Sequence, residues 1–327
     1  MKRIALHLCF IALLLAAAAA AAAPAPRPWK IAILLAQSGP SEDQTTRGLR
    51  EGLKDLGYAE RKNVVIEIND LKGKSAALDP AAAELARKGG IDLIFTNGTR
   101  ATRAAMTATK TIPIVFRHPA DPVAMGFIKS MERPGGNVTG IAAFSGRTVE
   151  ERVLILKTFA PRVRRVHIFY DPNNAFAREN FVAAKQAAER NGLEVSEHSI
   201  KTPDELKTAL ASLTKSDENA IFEVSDDLIE SQAELLFDAA RQNGMPSMFE
   251  GADWAIKGSL LSYGASYYQM GRQAARIVNR IFRGEKPANV AAERANKYDL
   301  IVNLRMAKAI GLVIPPETLK KADKVVR

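Results

Sequence analysis

Short apolar runs alternate along this chain with stretches whose apolar residues recur every three to four positions. The first pattern predicts buried strands and the second amphipathic helices. Strands are expected at Trp29 to Leu35, Val64 to Ile68, Ile91 to Phe95, Ile112 to Phe116 and Val138 to Ile141. Helices are expected between them at Thr45 to Leu56, Ala76 to Lys88, Thr99 to Thr109 and Val123 to Met131. In the first helix Leu49, Leu53 and Leu56 share a face, and Gly57 supplies the stop. The series then restarts. Helices are expected at Val149 to Phe159, Ala175 to Asn191, Pro203 to Leu213 and Leu228 to Asn243. Strands are expected at Arg165 to Tyr170, Leu193 to Ile200, Ala220 to Val224 and Ser247 to Phe249. Strands alternating with helices mean α/β architecture with parallel sheets covered on both faces. Two such series predict two similar, Rossmann-like lobes.

The tail carries too few pieces for a third domain: a strand at Ser259 to Tyr263, a helix at Gln269 to Phe282 and a strand at Asp299 to Asn303. It is expected to cross back and complete both lobes. Residues 28–146 with 259–290 would form lobe 1, and residues 147–258 with 291–327 lobe 2. No Ser/Gly-rich linker separates the halves, which fits several short crossovers.

The N-terminus reads as an address. Lys2 and Arg3 precede the apolar run Ile4 to Leu15, followed by Ala16 to Ala23 and Pro24-Ala25-Pro26. This three-part pattern predicts a signal peptide over residues 1–25 and an exported, periplasmic product that does not span the membrane after cleavage. The lone cysteine, Cys9, lies inside that run and follows Leu8, so it does not mark a lipid anchor. A chain of 327 residues with one cysteine and four scattered histidines excludes a disulfide framework, a thiolate metal cage and an Fe–S cluster. The formal net charge is +10. The basic residues are spread out, and Arg162, Arg164 and Arg165 lack interleaved aromatics, so nucleic acid is not an expected partner.

In open parallel sheets ligands sit beyond the carboxyl ends of the strands. The loops there supply the candidate contacts: Gln37 and Ser38, then Asn97, Gly98 and Thr99, then Asp121. The second half adds Asn174, Asp226 and Glu250, with Phe144 and Tyr263 as aromatic candidates. Asn97-Gly98-Thr99 opens a helix, where backbone N–H groups favour a carboxylate. Asp226 or Glu250 suits an amino group. Asp121, Asn174 and Asp226 also read as simple helix caps. No Walker A loop, no Gly-x-Ser-x-Gly elbow and no Cys/His pair is present, so no enzyme, cofactor or metal is expected.

Several segments in order carry a resemblance. They are Lys30-Ile31-Ala32-Ile33, the stretch Gly48 to Tyr58, Ile112 to Phe116, Asp121-Pro122-Val123 and Pro134 to Gly140. Further on come Tyr263-Gly264, Tyr267-Tyr268, Gly271-Arg272, Gly284 to Ala288 and Leu300 to Asn303. From about Lys30 to Leu312 the chain resembles ABC-transporter substrate-binding proteins of the type that binds tryptophan and related aromatic amino acids. The resemblance implies the type I periplasmic-binding fold: two lobes, a three-segment hinge and a ligand held between them. It implies a monomeric receptor that delivers a small ligand to an ABC permease and its ATPase. It places contacts in the Thr96 to Thr99 loop, near Asp121 and at Asp226. The chain departs from the family at Gln37-Ser38-Gly39-Pro40 and Glu223-Val224-Ser225, both ligand-facing stretches, so the aromatic ligand does not transfer directly. An amino acid or amino-acid-like solute is the expected ligand. A sensory module serving a membrane signalling receptor is the alternative.

Overall fold

A computed structural model describes residues 27–36, 40–118, 121–143, 148–251 and 253–327, the side chains of 40–42, 75, 118 and 227 excepted. In chain order, β1 (Trp29–Leu35), β2 (Val64–Asp70), β3 (Leu93–Asn97), β4 (Ile114–His118) and β5 (Val138–Ala142) join one sheet. Next, β6 (Arg165–Tyr170), β7 (Glu194–Ser199), β8 (Asn219–Phe222), β9 (Ser247–Glu250) and β10 (Leu261–Ala265) join a second. The chain returns to the first sheet with β11 (Glu293–Arg294) and ends in the second with β12 (Tyr298–Asn303) and β13 (Lys324–Val326).

The strand orders are β2-β1-β3-β4-β5-β11 and β7-β6-β8-β9-β10-β12-β13. Every pairing is parallel except β10 with β12. The two lobes expected from the alternating pattern are therefore present, each built on a largely parallel α/β sheet.

Both faces of each sheet are covered, which is why the strands read as continuous apolar runs. In β1, Ile31, Ile33 and Leu35 pack on one face against Leu49 and Leu53 of the helix Pro40–Asp55 and against the helix Tyr267–Phe282. Ala32 and Leu34 pack on the other, against the helices Leu78–Lys88 and Thr99–Ala108. The helices Pro40–Asp55 and Tyr267–Phe282 meet backbone to backbone. A Cβ on Gly48 would lie 2.0 Å from the Tyr268 carbonyl oxygen, and one on Gly271 would lie 2.1 Å from that of Thr45. Only glycine permits this approach.

Four expectations need correction. Residues 123–131 form turns, not a helix, because Gly126 takes a positive φ of 71° and breaks the run after one turn. The expected helix over 228–243 is two, Asp227–Ser231 and Ala233–Gln242, divided at Gln232. Leu261–Ala265, expected with lobe 1, instead pairs with β9 and β12 in the second sheet, and Glu293–Arg294, expected with lobe 2, pairs with β5 in the first. The apolar pattern of Leu261–Ala265 fits either lobe; the pairing partners decide.

Lobe-to-lobe passage occurs after β5, after β10 and after β11. The crossing strands are tied together: the Ser266 N–H donates to the Lys297 carbonyl at 2.9 Å, and the Ala295 N–H to that of Ala142 at 2.8 Å. Three adjacent crossovers make a hinge rather than a flexible linker.

Candidate functional site

In both lobes the strand order reverses beside the first strand, between β1 and β3 and between β6 and β8. Loops leaving neighbouring strands in opposite directions open a crevice there, at the carboxyl ends. The two carboxyl edges meet. Gln44, early in the helix after β1, donates from Nε2 to Oδ1 of Asp253, which follows β9, at 2.8 Å. Gly251 lies against Tyr267, whose hydroxyl oxygen would be 2.9 Å from a Cβ at that position.

The first lobe supplies a donor-rich wall. Asn97 ends β3 and is 8% exposed, yet neither its side-chain nitrogen nor its side-chain oxygen has a hydrogen-bond partner. Buried amides are nearly always satisfied, so this one stands out as open hydrogen-bonding capacity at the strand end. Gly98 then adopts a φ of 86°, a left-handed conformation that suits glycine, and starts the helix Thr99–Ala108 with no side-chain cap. Thr102 braces the turn by donating to the Gly98 carbonyl at 2.8 Å and pairing with the Thr96 hydroxyl at 2.9 Å. Arg117, the register partner of Asn97 on β4, is buried, with its guanidinium 4.6 Å from the centre of the Tyr267 ring. A helix start, an amide and a guanidinium together favour a carboxylate.

The second lobe supplies an acidic wall. Glu250 ends β9; its side chain is 16% exposed, its N–H donates to Glu223 Oε2 at 2.8 Å, and its own Oε2 accepts from Ser225 at 3.3 Å. Beneath it lies Arg152, one turn into the helix Thr148–Phe159, with no exposure at all. Arg152 Nη1 donates to the Glu223 carbonyl at 2.8 Å, and Nη2 stands 3.4 Å from Glu250 Oε2. Burial pushes the Glu223 carboxyl up to about 7, against the opposing pull of Arg152.

Other expected residues serve the scaffold. Asp226 is 2% exposed: Oδ1 accepts from the N–H groups of Leu228 and Ile229, and Oδ2 from that of Asp171 at 3.0 Å. Its carboxylate pins two loops together. Asn174 caps the helix Ala175–Arg190 by accepting from Phe176 and Ala177. Asp121 accepts from Val123 at 2.8 Å and Ala124 at 3.3 Å. Tyr263 lines a cavity of about 330 Å³ within the second lobe, with Phe159, Tyr298 and Leu300. Burial and the neighbouring Glu151 push its hydroxyl up to about 12. Gln37, Ser38 and Phe144 lie outside the described residues.

Arg117, Arg152, Gln44 and Asp253 escaped the sequence reading. Arg152 had a signal: it shares a helix face with Val149, Val153 and Leu156, a lone charge on an apolar stripe. Arg117 was obscured because β4 runs two residues further than its apolar run.

The sequence pattern of the family described as ABC transporter substrate binding protein matches residues 30–326. The chain belongs to that family. This ABC transporter substrate-binding protein is 25% identical over 273 residues to a tyrosine-binding protein of Clostridioides difficile (strain R20291), spanning 84% of this chain and 78% of that one. Its fold superposes on a conserved domain protein from Vibrio cholerae with a TM-score of 0.78, at 29% identity, covering 91% of this chain and all of that one (100%). It superposes on a Streptococcus pneumonia ABC domain in complex with L-Trp with a TM-score of 0.77, at 23% identity, covering 91% and 100%. Among the described residues no group of His, Cys, Asp and Glu is arranged to hold a metal ion, and no helix is long and apolar enough to cross a membrane.

Proposed function

We propose that this substrate-binding protein captures an amino acid between its lobes in the periplasm and delivers it to an ABC permease and its ATPase. The observation that carries the reading is the unsatisfied, buried Asn97 amide at the end of β3, with the Glu250 carboxylate at the end of β9 in the other lobe. Donors on the first lobe (Asn97, Arg117 and the helix start at Gly98 and Thr99) suit a ligand carboxylate. Glu250 suits its ammonium group. A ligand that bonds to both walls stabilises the closed arrangement of the lobes by its differential affinity for it. The tyrosine-binding relative supports an α-amino acid as the ligand class. Glu223 and Ser225 fall in a loop where the chain departs from the aromatic-binding pattern, so the side-chain preference belongs to this chain. The lysine- and arginine-led apolar leader supports export.

A thermal-shift panel of the twenty L-amino acids, with sugars and inorganic anions as controls, tests this. Stabilisation by one or a few amino acids is expected. A response to sugars or anions alone refutes it.

A further inference from the structure

Arg152, Glu223 and Glu250 form a cluster that needs an explanation beyond packing. Arg152 and Glu223 have no side-chain exposure. Three polar atoms in this pair lack hydrogen-bond partners: Arg152 Nε, Arg152 Nη2 and Glu223 Oε1. One guanidinium is shared by two carboxylates, at 3.7 Å from Glu223 Oε2 and 3.4 Å from Glu250 Oε2. The face of Phe222, 4.8 Å from the guanidinium carbon, closes the cluster from the side. A purely structural ion pair gains most when its remaining hydrogen-bond capacity is filled; this one keeps capacity unfilled one turn into the helix Thr148–Phe159.

We propose that Arg152 and Glu223 are positioning residues that hold the Glu250 carboxylate at the cleft edge and set the charge it presents, so that the site selects ligands carrying an ammonium group. The proposal rests on the reading above that an amino acid binds between the lobes. The geometry gives the mechanism. Glu223 Oε2 fixes the Glu250 backbone N–H, and Arg152 braces the ends of β8 and β9 from the helix beneath. The charge count gives the selectivity. With Glu223 protonated, Arg152 neutralises Glu250 and the pair draws a cation weakly. With Glu223 ionised, one positive charge faces two negative ones, and the cluster holds a net negative charge toward the cleft. Among the described residues Asp226, from the loop after β8, opposes the ionisation of Glu223 as the Glu250 carboxylate does, while Arg152 and the hydrogen bond from the Glu250 N–H favour it. An arriving ammonium group adds a second positive charge and favours the ionised form. Ligand capture therefore releases the Glu223 proton to solvent.

Titration calorimetry of the full mature chain with L-tyrosine and with 3-(4-hydroxyphenyl)propionate, its deaminated counterpart, tests this. Runs at neutral pH in buffers of different ionisation enthalpy read proton release. The wild type is expected to release a fraction of a proton with L-tyrosine. Its preference for L-tyrosine over the deaminated compound is expected to rise about tenfold from pH 5.5 to pH 8.5, as expected for one added charge a few ångströms away in a partly screened site. Glu223→Gln keeps an acceptor for the Glu250 N–H but loses both the proton release and the pH-dependent part of the preference. Glu250→Gln, at a partly exposed position, removes the preference at every pH. Unchanged proton release or unchanged preference in either variant overturns the proposal. Should neither compound bind, tyrosine is not the ligand, the amino-acid reading is decided by the panel of twenty, and the cluster is tested on the free protein. The Glu250 side-chain carboxyl ¹³C resonance is then expected to respond to Glu223 ionisation between pH 5.5 and 8.5 and to lose that response in Glu223→Gln. No difference between the two proteins overturns the inference.

Discussion

Replacing Asn97 by leucine, which has nearly the same shape, should move stability and affinity in opposite directions. Asn97 is buried at the end of β3 with both amide atoms unpartnered. Leaving a buried polar group unmade costs about 1–3 kcal/mol, which an isosteric apolar group does not incur. The unliganded variant should therefore gain roughly that amount, a rise in Tm of about 2–8 °C for a domain of this size. The ligand loses a donor to its carboxylate, worth about 1.5–3 kcal/mol for a charge-assisted bond. Affinity should fall about 10- to 150-fold. Differential scanning fluorimetry without ligand and calorimetry with the best ligand of the amino-acid panel read the two halves separately. A variant less stable than wild type with unchanged affinity would show that Asn97 is a structural amide, and the reasoning from its orphaned atoms would be wrong.

Other consequences follow from the packing and the buried charges. Gly271→Ala forces a methyl group to 2.1 Å from the Thr45 carbonyl oxygen and should cost about 3 kcal/mol or more in urea unfolding; a loss below 1 kcal/mol would mean the two helices separate freely. Asp226→Asn puts an amide where Asp171 needs an acceptor, so it should lower stability by about 1–2 kcal/mol while leaving the ligand Kd within about threefold; a collapsed affinity at unchanged stability would return Asp226 to the ligand. The pH dependence has two opposed parts. Glu223 is pushed from its ordinary 4.5 up to about 7, so the unfolded chain gives up this proton first and the fold loses stability as pH rises through that window. His167 is pushed from 6.5 down to about 4, by burial first and then by His198 and Arg165, so the fold loses stability as pH falls through that window. The two slopes oppose each other from about pH 4.5 to 6.5. In Glu223→Gln the histidine slope, to which the neighbouring His198 adds because burial lowers it too, should be unopposed by Glu223, so stability rises with pH more steeply than in the wild type. Parallel pH profiles of wild type and variant would contradict this.

The sheets were legible because buried parallel strands announce themselves as unbroken apolar runs: β1 and β6 stand where the pattern put them, and β3 lies two residues further along than its run. The turn at Gly126 was not, since the same spacing of apolar residues serves a helix or a packed loop, and only Phe127 and Ile128 reaching the core distinguishes them. The side of the hinge on which Leu261–Ala265 lies depends on pairing with β9 and β12, a long-range fact that no local pattern carries. The strand-end rule picked out Asn97 and Glu250, which end β3 and β9, because topology fixes where loops emerge. It also collected Asp226 and Asn174, whose side chains are taken by backbone N–H groups. Sequence cannot tell a cap from a ligand contact, because both want the same residue in the same place. Arg152 is the opposite case: it sits fully buried inside a helix, 3.4 Å from Glu250, where no strand-end rule looks.

A crystal structure of the mature chain grown with L-tyrosine, or with the strongest ligand of the amino-acid panel, tests the central claim directly. The account predicts the ligand between the lobes, its carboxylate on Asn97 and the start of the helix Thr99–Ala108, its ammonium group on Glu250. A ligand seated in the cavity beside Tyr263 and Tyr298, or one turned with its ammonium group toward Asn97, would contradict it.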